Sequence, residues 1–340
     1  ISNRSLKAIE EIEGEESLPK ISLGDIGRLS DNSGLPISFF LSAVEPETTP
    51  VKFRQDRIFE KTKDTKYYYN RDVMRLMILV DLVTKTSLSD YAKAEKTKRD
   101  FASKSNVSSE IIAQALGVED EKPPIGPKIQ KALERIGGLV IFYYFYPKSQ
   151  TNGVSFWHKS SFPVIGISRN TSIGRANFTL AHEIVHLFCD LADSEEKTGF
   201  ICNVTPSIEE EKRADKMAAR LLMPERLKET VKDYVGKKGV HKAINELAFQ
   251  WEVSRQALAL RLRGWNLADE EDIKELFVKP TGGRPTPIEY EDTFGSPYRT
   301  KELIKHMYDS GATTRFISWA TRIKYEHILG ILGQAESNAK

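Results

Sequence analysis

The chain has 340 residues and a formal net charge of +2. This length predicts two to three domains, and the near balance of acidic and basic residues gives no overall preference for nucleic acid or for a membrane surface. Cys189 and Cys202 are the only cysteines, which excludes a disulfide framework and favours a protein of the reducing cytoplasm.

Residues 1–45 resemble part of an XRE-type helix-turn-helix module. Residues 1–19 are similar to the recognition helix and the loop after it, and residues 23–41 are similar to the last two helices. The first two helices have no counterpart, so we predict a partial module. Acidic residues outnumber basic ones in this segment, whereas phosphate binding requires the opposite balance. We therefore predict a packing or docking domain, with DNA binding as the less favoured alternative.

Residues 46–122 are predicted to form a helical linker or interdomain region. The apolar segment Val73–Val83 is typical of a core helix, and it is too short and too interrupted by charge to span a membrane. The segment Lys93–Lys104 is basic, but Glu95 and Asp100 interrupt it. This pattern favours a solvated helix face over contact with nucleic acid.

Three short strands are predicted in the middle of the chain. Leu139–Tyr146 is an apolar run rich in residues that favour strands, and Gly153–Trp157 and Pro163–Ile167 follow it. A histidine, His158, comes directly after the second strand. The chain then changes to helical spacing of its apolar residues.

The helical segment Phe178–Phe188 contains the sequence His-Glu-Ile-Val-His at 182–186, the pattern of zinc peptidases. Histidines four residues apart share one helix face, so both imidazoles reach a single metal ion. Glu183 lies beside them, where it can take a proton from zinc-bound water. The apolar residues around this pattern are Phe178, Ala181, Val185 and Phe188. They indicate a buried helix, and a surface helix with two incidental histidines is the less favoured alternative.

Catalytic zinc keeps three protein ligands and leaves one position for water, so a third ligand is required. The next helical segment, Glu209–Pro224, is amphipathic, and its Glu211 and Asp215 share a face beside the apolar stripe. That stripe consists of Ala214, Met217, Ala218, Leu221 and Leu222. We predict that Glu211 is the third zinc ligand and that Asp215 accepts the other ring N–H of a ligand histidine. The alternative is a solvated acidic helix start.

Two motifs together resemble the ImmA/IrrE family of zinc metallopeptidases. The first is Arg-x-x-Phe-Thr-Leu-Ala-His-Glu-x-x-His-Leu at 175–187, and the second is Glu-x-x-Ala-Asp-x-x-Ala-Ala-x-Leu-Leu-Met-Pro at 211–224. In this family the two histidines and the glutamate of the second motif bind zinc. The resemblance therefore implies the same ligands that the spacing predicts, namely His182, His186 and Glu211, with Zn²⁺ as the cofactor.

The resemblance also implies an α+β fold for residues 123–278, the predicted metallopeptidase domain. We expect a mainly helical chain with a zincin-like core, in which a small mixed or antiparallel sheet carries the active-site helix. A helix within 123–138 precedes the first strand, and a helix pair within 247–262 closes the domain. The Val-Ser step of that pair predicts a helix start with Ser254 as N-cap.

Residues 279–340 are predicted to form a C-terminal helical extension. The segment Lys279–Pro287 is rich in Pro and Gly, which predicts a loop or linker. Helices are expected at Arg299–Ser310 and Phe316–Leu332, joined at Gly311. Recognition of a substrate or partner and simple packing are equally consistent roles for this extension.

The function implied by the resemblance is site-specific hydrolysis of a peptide bond in a regulatory protein. Family members cleave a cognate helix-turn-helix repressor in mobile-element, stress-response or phage-defence settings. Glu183 would act as general base, and His158 is a candidate stabiliser of the oxyanion in the transition state. One of the two strands at 153–157 and 163–167 is expected to align the peptide by edge pairing, although a covered core strand is equally consistent.

The competing hypothesis belongs to a different class. It is a partner-binding regulator, of toxin–antitoxin or defence type, in which the zinc site is structural or degenerate. A partial acidic N-terminal module and a C-terminal extension fit a protein that docks other proteins. Cys189, three residues after His186, is a further conceivable ligand, but packing as a small apolar residue is the favoured interpretation.

Overall fold

The computed structural model describes most of the chain after residue 90. The described ranges are 91–104, 106–143, 152–158, 163–169, 171–192, 200–202, 209–278 and 297–333, with single positions at 28, 76, 79, 80 and 145. Predictions for the helix-turn-helix module, the apolar helix at 73–83 and the linker at 279–287 therefore fall wholly or largely outside the described residues. The chain divides into two compact units, one within residues 49–300 and one that contains residues 301–340.

The first unit contains a four-stranded mixed sheet with the strand order β1-β3-β2-β4 among the described residues. The strands are β1 (Leu139–Tyr143), β2 (Gly153–Trp157), β3 (Pro163–Ser168) and β4 (Phe200–Cys202). β1 and β3 are parallel, whereas β2 is antiparallel to β3 and β4. Every residue of β1, β2 and β3 is buried, as expected for strands rich in β-branched and aromatic residues.

The two strands for which edge pairing and a covered core position were equally expected differ in how far they are paired. β3 is paired on one side with β1 and on the other with β2, so it is a covered core strand. β2 is paired with β3 and, over Gly153–Ser155, also with β4. Among the described residues, β4 therefore lies beyond β2 over Gly153–Ser155, and it pairs there across a long sequence separation.

Within residues 91–138, three helices precede the sheet: α1 (Tyr91–Ala102), α2 (Ser109–Leu116) and α3 (Gly126–Arg135). The side chain of Ser108 accepts a hydrogen bond from the backbone N–H of Ile111 and caps α2, which ends at Gly117 with a φ of 65°. α3 lies within the predicted 123–138 segment. The basic stretch predicted as a solvated helix face falls in α1, where Glu95, Lys96, Arg99 and Asp100 are exposed.

The central helix α4 (Ile173–Cys189) packs on the sheet through β2 and β3. The indole N–H of Trp157 donates to the carbonyl of Leu187 over 3.1 Å, which fixes α4 along β2. α5 (Glu209–Leu222) packs against α4 and buries the five apolar residues of the predicted stripe. The prediction of an amphipathic second helix is therefore confirmed.

Four further helices follow α5 in the described residues 228–278: α6 (Lys228–Lys238), α7 (Val240–Gln250), α8 (Arg255–Gly264) and α9 (Glu270–Val278). The predicted N-cap is confirmed, because the hydroxyl of Ser254 accepts a hydrogen bond of 3.0 Å from the backbone N–H of Ala257. The turn before α8 touches the start of α4. A Cβ on Gly174 would lie 2.7 Å from the carbonyl carbon of Val253, so only glycine permits this approach.

The C-terminal helices are α10 (Pro297–Asp309), α11 (Thr314–Thr321) and α12 (Tyr325–Ile331). Gly311, with a φ of 93°, joins α10 to α11 as predicted. The helix predicted over 316–332 is instead two helices, because Arg322 adopts a φ of 60° and the hydroxyl of Thr321 accepts a hydrogen bond from the N–H of Ile323. The chain is mainly helical around a small mixed sheet, which confirms the predicted α+β class. None of the described helices is long and apolar enough to cross a membrane.

Candidate metal centre

The side chains of two histidines of α4 converge at their Nε2 atoms. His182 and His186 lie one helical turn apart, and their Nε2 atoms are 3.0 Å from each other. Both side chains are buried, with 6% and 0% of their surface exposed. α4 supplies this arrangement because residues i and i+4 stand one above the other on a helix face.

Glu211 of α5 completes the cluster. Its Oε2 lies 3.2 Å from Nε2 of His182, and its Oε1 lies 3.5 Å from Nε2 of His186. Packing of α5 on α4 brings the glutamate to this position, although more than twenty residues separate it from the histidines. The three residues form a group whose ligand atoms all lie within 4.8 Å of one another.

The spacing of these atoms fits a small divalent cation. Tetrahedral zinc with bonds of about 2.1 Å places neighbouring ligand atoms about 3.4 Å apart, close to the observed separations. Each imidazole has a carboxylate oxygen at its Nδ1, at 2.8 Å for His182 and 2.6 Å for His186. When each Nδ1 carries the proton and donates it, both Nε2 atoms present lone pairs to one point, as metal ligands do.

The two carboxylates at Nδ1 come from different elements. Asp215 of α5 accepts from His182, in the position that the sequence predicts. Asp190, the residue that directly follows α4, accepts from His186 and forms an ion pair with Arg213. Asp190 was not predicted from the sequence, although its position one helical turn after His186 was a usable signal.

Without a bound metal, the hydrogen bonds and charges of the cluster favour protons that are shared between the histidines and the carboxylates. Burial alone would lower the pKa of His182, but hydrogen bonds to Asp215 and Glu211 and the charge of Glu183 outweigh it and raise the pKa to about 10. Burial would raise the pKa of Glu211, yet its hydrogen bonds with His182 and His186 bring the pKa well below its ordinary value. A cation in this cluster would take the place of these protons.

Glu183 lies on the adjacent face of α4, towards β2. Its side chain is fully buried, and its Oε2 accepts a hydrogen bond of 2.7 Å from the hydroxyl of Ser155. The pleat of β2 places Gly153 and Ser155 on the same side, and a Cβ on Gly153 would lie 2.6 Å from Oε1 of Glu183. β2 therefore both holds this carboxylate and leaves room for it. Neither Ser155 nor Gly153 was identified from the sequence, because their roles depend on strand packing.

Two other candidate residues lie on the same elements. His158 directly follows β2 and is buried, and its role at the transition state stays a prediction. Cys189, the last residue of α4, packs against the hydrophobic core. Burial and the neighbouring Asp190 raise the pKa of its thiol to about 11, which suits the packing role favoured from the sequence.

Comparison with protein families agrees with this geometry. Residues 136–263 match the model of a peptidase family described as the IrrE N-terminal-like domain. That domain is one of the ImmA/IrrE family, to which residues 136–263 of this chain are similar. The matched range runs from the start of β1 to the end of α8 and so contains both helices of the metal cluster. The ImmA/IrrE resemblance read from the two motifs is thus confirmed, and the domain is of metallopeptidase type. A comparison with curated proteins gave no match.

Proposed function

We propose that this protein is a zinc-dependent, site-specific endopeptidase that hydrolyses a peptide bond in a cognate regulatory protein. The observation that carries the proposal is the position of Glu183, a buried carboxylate held by Ser155 next to the cluster of His182, His186 and Glu211. The family resemblance supports a helix-turn-helix repressor as the substrate, in a mobile-element, stress-response or phage-defence setting.

In this proposal His182, His186 and Glu211 hold the metal, and Asp215 and Asp190 orient the two imidazoles. Bound zinc supplies a Lewis acid that lowers the pKa of a water ligand to about 7 and polarises a carbonyl. Glu183 is the general base. Its Oε1 takes the proton of the attacking water and later gives it to the amine of the departing chain.

Ser155 acts on Glu183 rather than on the substrate. Its hydroxyl donates to Oε2, so the carboxylate is held in one orientation and Oε1 remains the atom that takes the proton. A hydrogen bond to the charged form also offsets part of the cost of burying a carboxylate.

These contacts favour hydrolysis over the alternative of a partner-binding regulator with a structural metal. Structural zinc usually has four protein ligands, whereas the cluster found among the described residues has three. A structural zinc site also requires no buried carboxylate beside its ligands. An isolated buried charge is costly, so the Ser155–Glu183 pair is best explained by proton transfer.

The test combines metal content with cleavage. Elemental mass spectrometry of the purified protein should find about one zinc per chain and a clear loss of zinc in Glu211→Ala. The parent should cleave a co-expressed helix-turn-helix repressor at one bond, and Glu183→Gln should keep zinc and lose cleavage. Full biological activity of Glu183→Gln, or a parent that takes up no zinc, would contradict the proposal. A negative result with casein would not, because site-specific enzymes need not degrade general substrates.

A further inference from the structure

An open groove of about 1830 Å³ lies beside the metal centre, within the unit of residues 49–300. The first turns of α4, the outer face of α5, the end of α7 and the helix α8 form its walls. Sites for small molecules typically have volumes of about 300–1,000 Å³ and enclose most of the ligand. The dimensions of this groove suit a segment of polypeptide better than a small molecule.

The groove exposes large apolar side chains. Phe249, Ile173 and Leu260 line it and are 87%, 48% and 43% exposed. Phe249 lies at the end of α7 on the side opposite the buried residues of that helix, such as Leu247 and Ala248. Phe249 therefore contributes nothing to the described core. Clusters of exposed apolar side chains ringed by polar residues are typical of surfaces that bind other proteins.

The rim of the groove is strongly basic. Its exposed cations are Arg175, Lys212, Lys216, Arg220 and Arg263, and Asp215 and Glu252 are the carboxylates among the described lining residues. Arg175 and Lys216 form no ion pair with any other residue in the part of the chain that the structure describes. The excess of positive charge on this rim would attract an acidic partner.

The groove is continuous with the metal centre through two residues. Asp215 lines the groove and also accepts the hydrogen bond from His182. Phe178 lines the groove as well, and the centre of its ring lies 6.4 Å from the centre of the His182 ring. A polypeptide held in the groove therefore lies next to the ligand cluster.

We propose that this groove docks an acidic segment of the protein substrate that also carries apolar side chains. The proposal rests on the proposed peptidase function and assigns substrate recognition to a surface outside the ligand cluster. Nucleic acid is the less suitable occupant. Phe249, Ile173 and Leu260 offer apolar surface, which does not bind phosphates, and Asp215 and Glu252 would repel them.

The test measures binding without cleavage. A random-sequence peptide library is selected on the full chain carrying Glu183→Gln, and the enriched peptides are then titrated against groove variants of the same protein. The variants are Phe249→Ser and Arg175→Glu, both exposed and away from the ligands. Lys237→Glu is the matched control, since Lys237 is an exposed residue of α6 that does not line the groove.

The enriched peptides should be rich in Asp and Glu with interspersed apolar residues, and their binding should weaken with salt. Phe249→Ser and Arg175→Glu should each bind them at least about tenfold more weakly, whereas Lys237→Glu should bind them as the parent does. Three outcomes would each overturn the proposal: enrichment without acidic residues, equal binding by the groove variants, or tighter binding of a random DNA duplex than of the enriched peptides.

Zinc content and repressor cleavage, measured on the parent, separate this proposal from the proposed function. A parent that holds zinc and cleaves the repressor while its groove variants bind peptides normally would refute the docking site alone. Sedimentation of the parent and Phe249→Ser provides a further check. A parent dimer that dissociates in this variant would assign the groove to a second copy of the chain and would also overturn the proposal.

Discussion

Gly153 allows β2 to approach the helix that carries Glu183, the proposed general base, so Gly153→Ala tests how closely Glu183 must be placed. The new Cβ would lie 2.4 Å from the Cγ2 atom of Thr179 and 2.6 Å from Oε1 of Glu183. Carbon atoms in good contact are about 3.5 Å apart, so the methyl group is about 1 Å too close to Thr179. Both contacts are on α4, and β2 and α4 must separate to relieve them.

This separation should affect stability and catalysis differently. Overpacking of a core contact typically costs about 1–3 kcal/mol, which should lower the midpoint of chemical unfolding. A misplacement of about 1 Å at a reacting group can reduce the rate about a hundredfold. We therefore expect cleavage of the substrate to fall about a hundredfold, while zinc content remains at the parent level because no ligand is touched.

Gly236→Ala is the matched control for this substitution. A Cβ on Gly236 would meet no atom within 4 Å, and the residue lies inside α6. Alanine there should stabilise the helix by about 0.5–1 kcal/mol and leave cleavage unchanged. If Gly153→Ala unfolds at the same denaturant concentration as the parent and cleaves at the parent rate, the close packing of β2 against Glu183 is not required, and the reasoning is wrong.

Three further predictions concern the groups around the metal. Asp190→Asn should weaken zinc binding about 10–100-fold in a competition titration, because Asp190 orients His186; Asp233→Asn, on the exposed side of α6, should not. Ser155→Ala should slow cleavage about 10–100-fold at unchanged zinc content, because a hydrogen bond to a charged group is worth about 1.5–3 kcal/mol. An unchanged cleavage rate would show that Ser155 does not position Glu183. The pKa of His182 without a metal is raised to about 10, so zinc must displace a proton at neutral pH. The apparent zinc affinity should therefore rise as the pH increases towards that value. Calorimetry in buffers of different ionisation enthalpy should detect the released proton, and binding without proton release would contradict the prediction.

The grouping of His182, His186 and Glu211 was the easiest part of the molecule to predict from the sequence. His182 and His186 are four residues apart, and helical geometry alone places them on one face. Glu211 and Asp215 have the same spacing on an amphipathic helix. The apolar stripe of that helix determines which side packs inward, so the pairing of α5 with α4 follows from two local patterns.

The surroundings of the cluster were harder to predict because they depend on non-local packing. The order of the strands, the position of β4 and the contact of Ser155 with Glu183 arise from pairing across long sequence separations, for which the sequence contains no periodic signal. Asp190 differs from these features because its spacing from His186 can be read directly from the sequence. An Asp at a helix end has several common roles, and only the fold shows that this one accepts from a histidine.

The residues around His182 and His186 and the residues around Glu183 lie on different sides of α4. Successive residues of a helix are turned by about 100°, so His182 faces α5 while Glu183 faces β2. The proposed metal ligands are therefore positioned by α5 and by Asp190 at the helix end, whereas Glu183, the proposed general base, is positioned by Gly153 and Ser155 of β2. Substitutions on the α5 side should remove metal and activity together, but substitutions in β2 should remove activity and leave the metal. A variant of β2 that loses zinc in proportion to its activity would show that the two sides are coupled through α4, and the separation of roles would not hold.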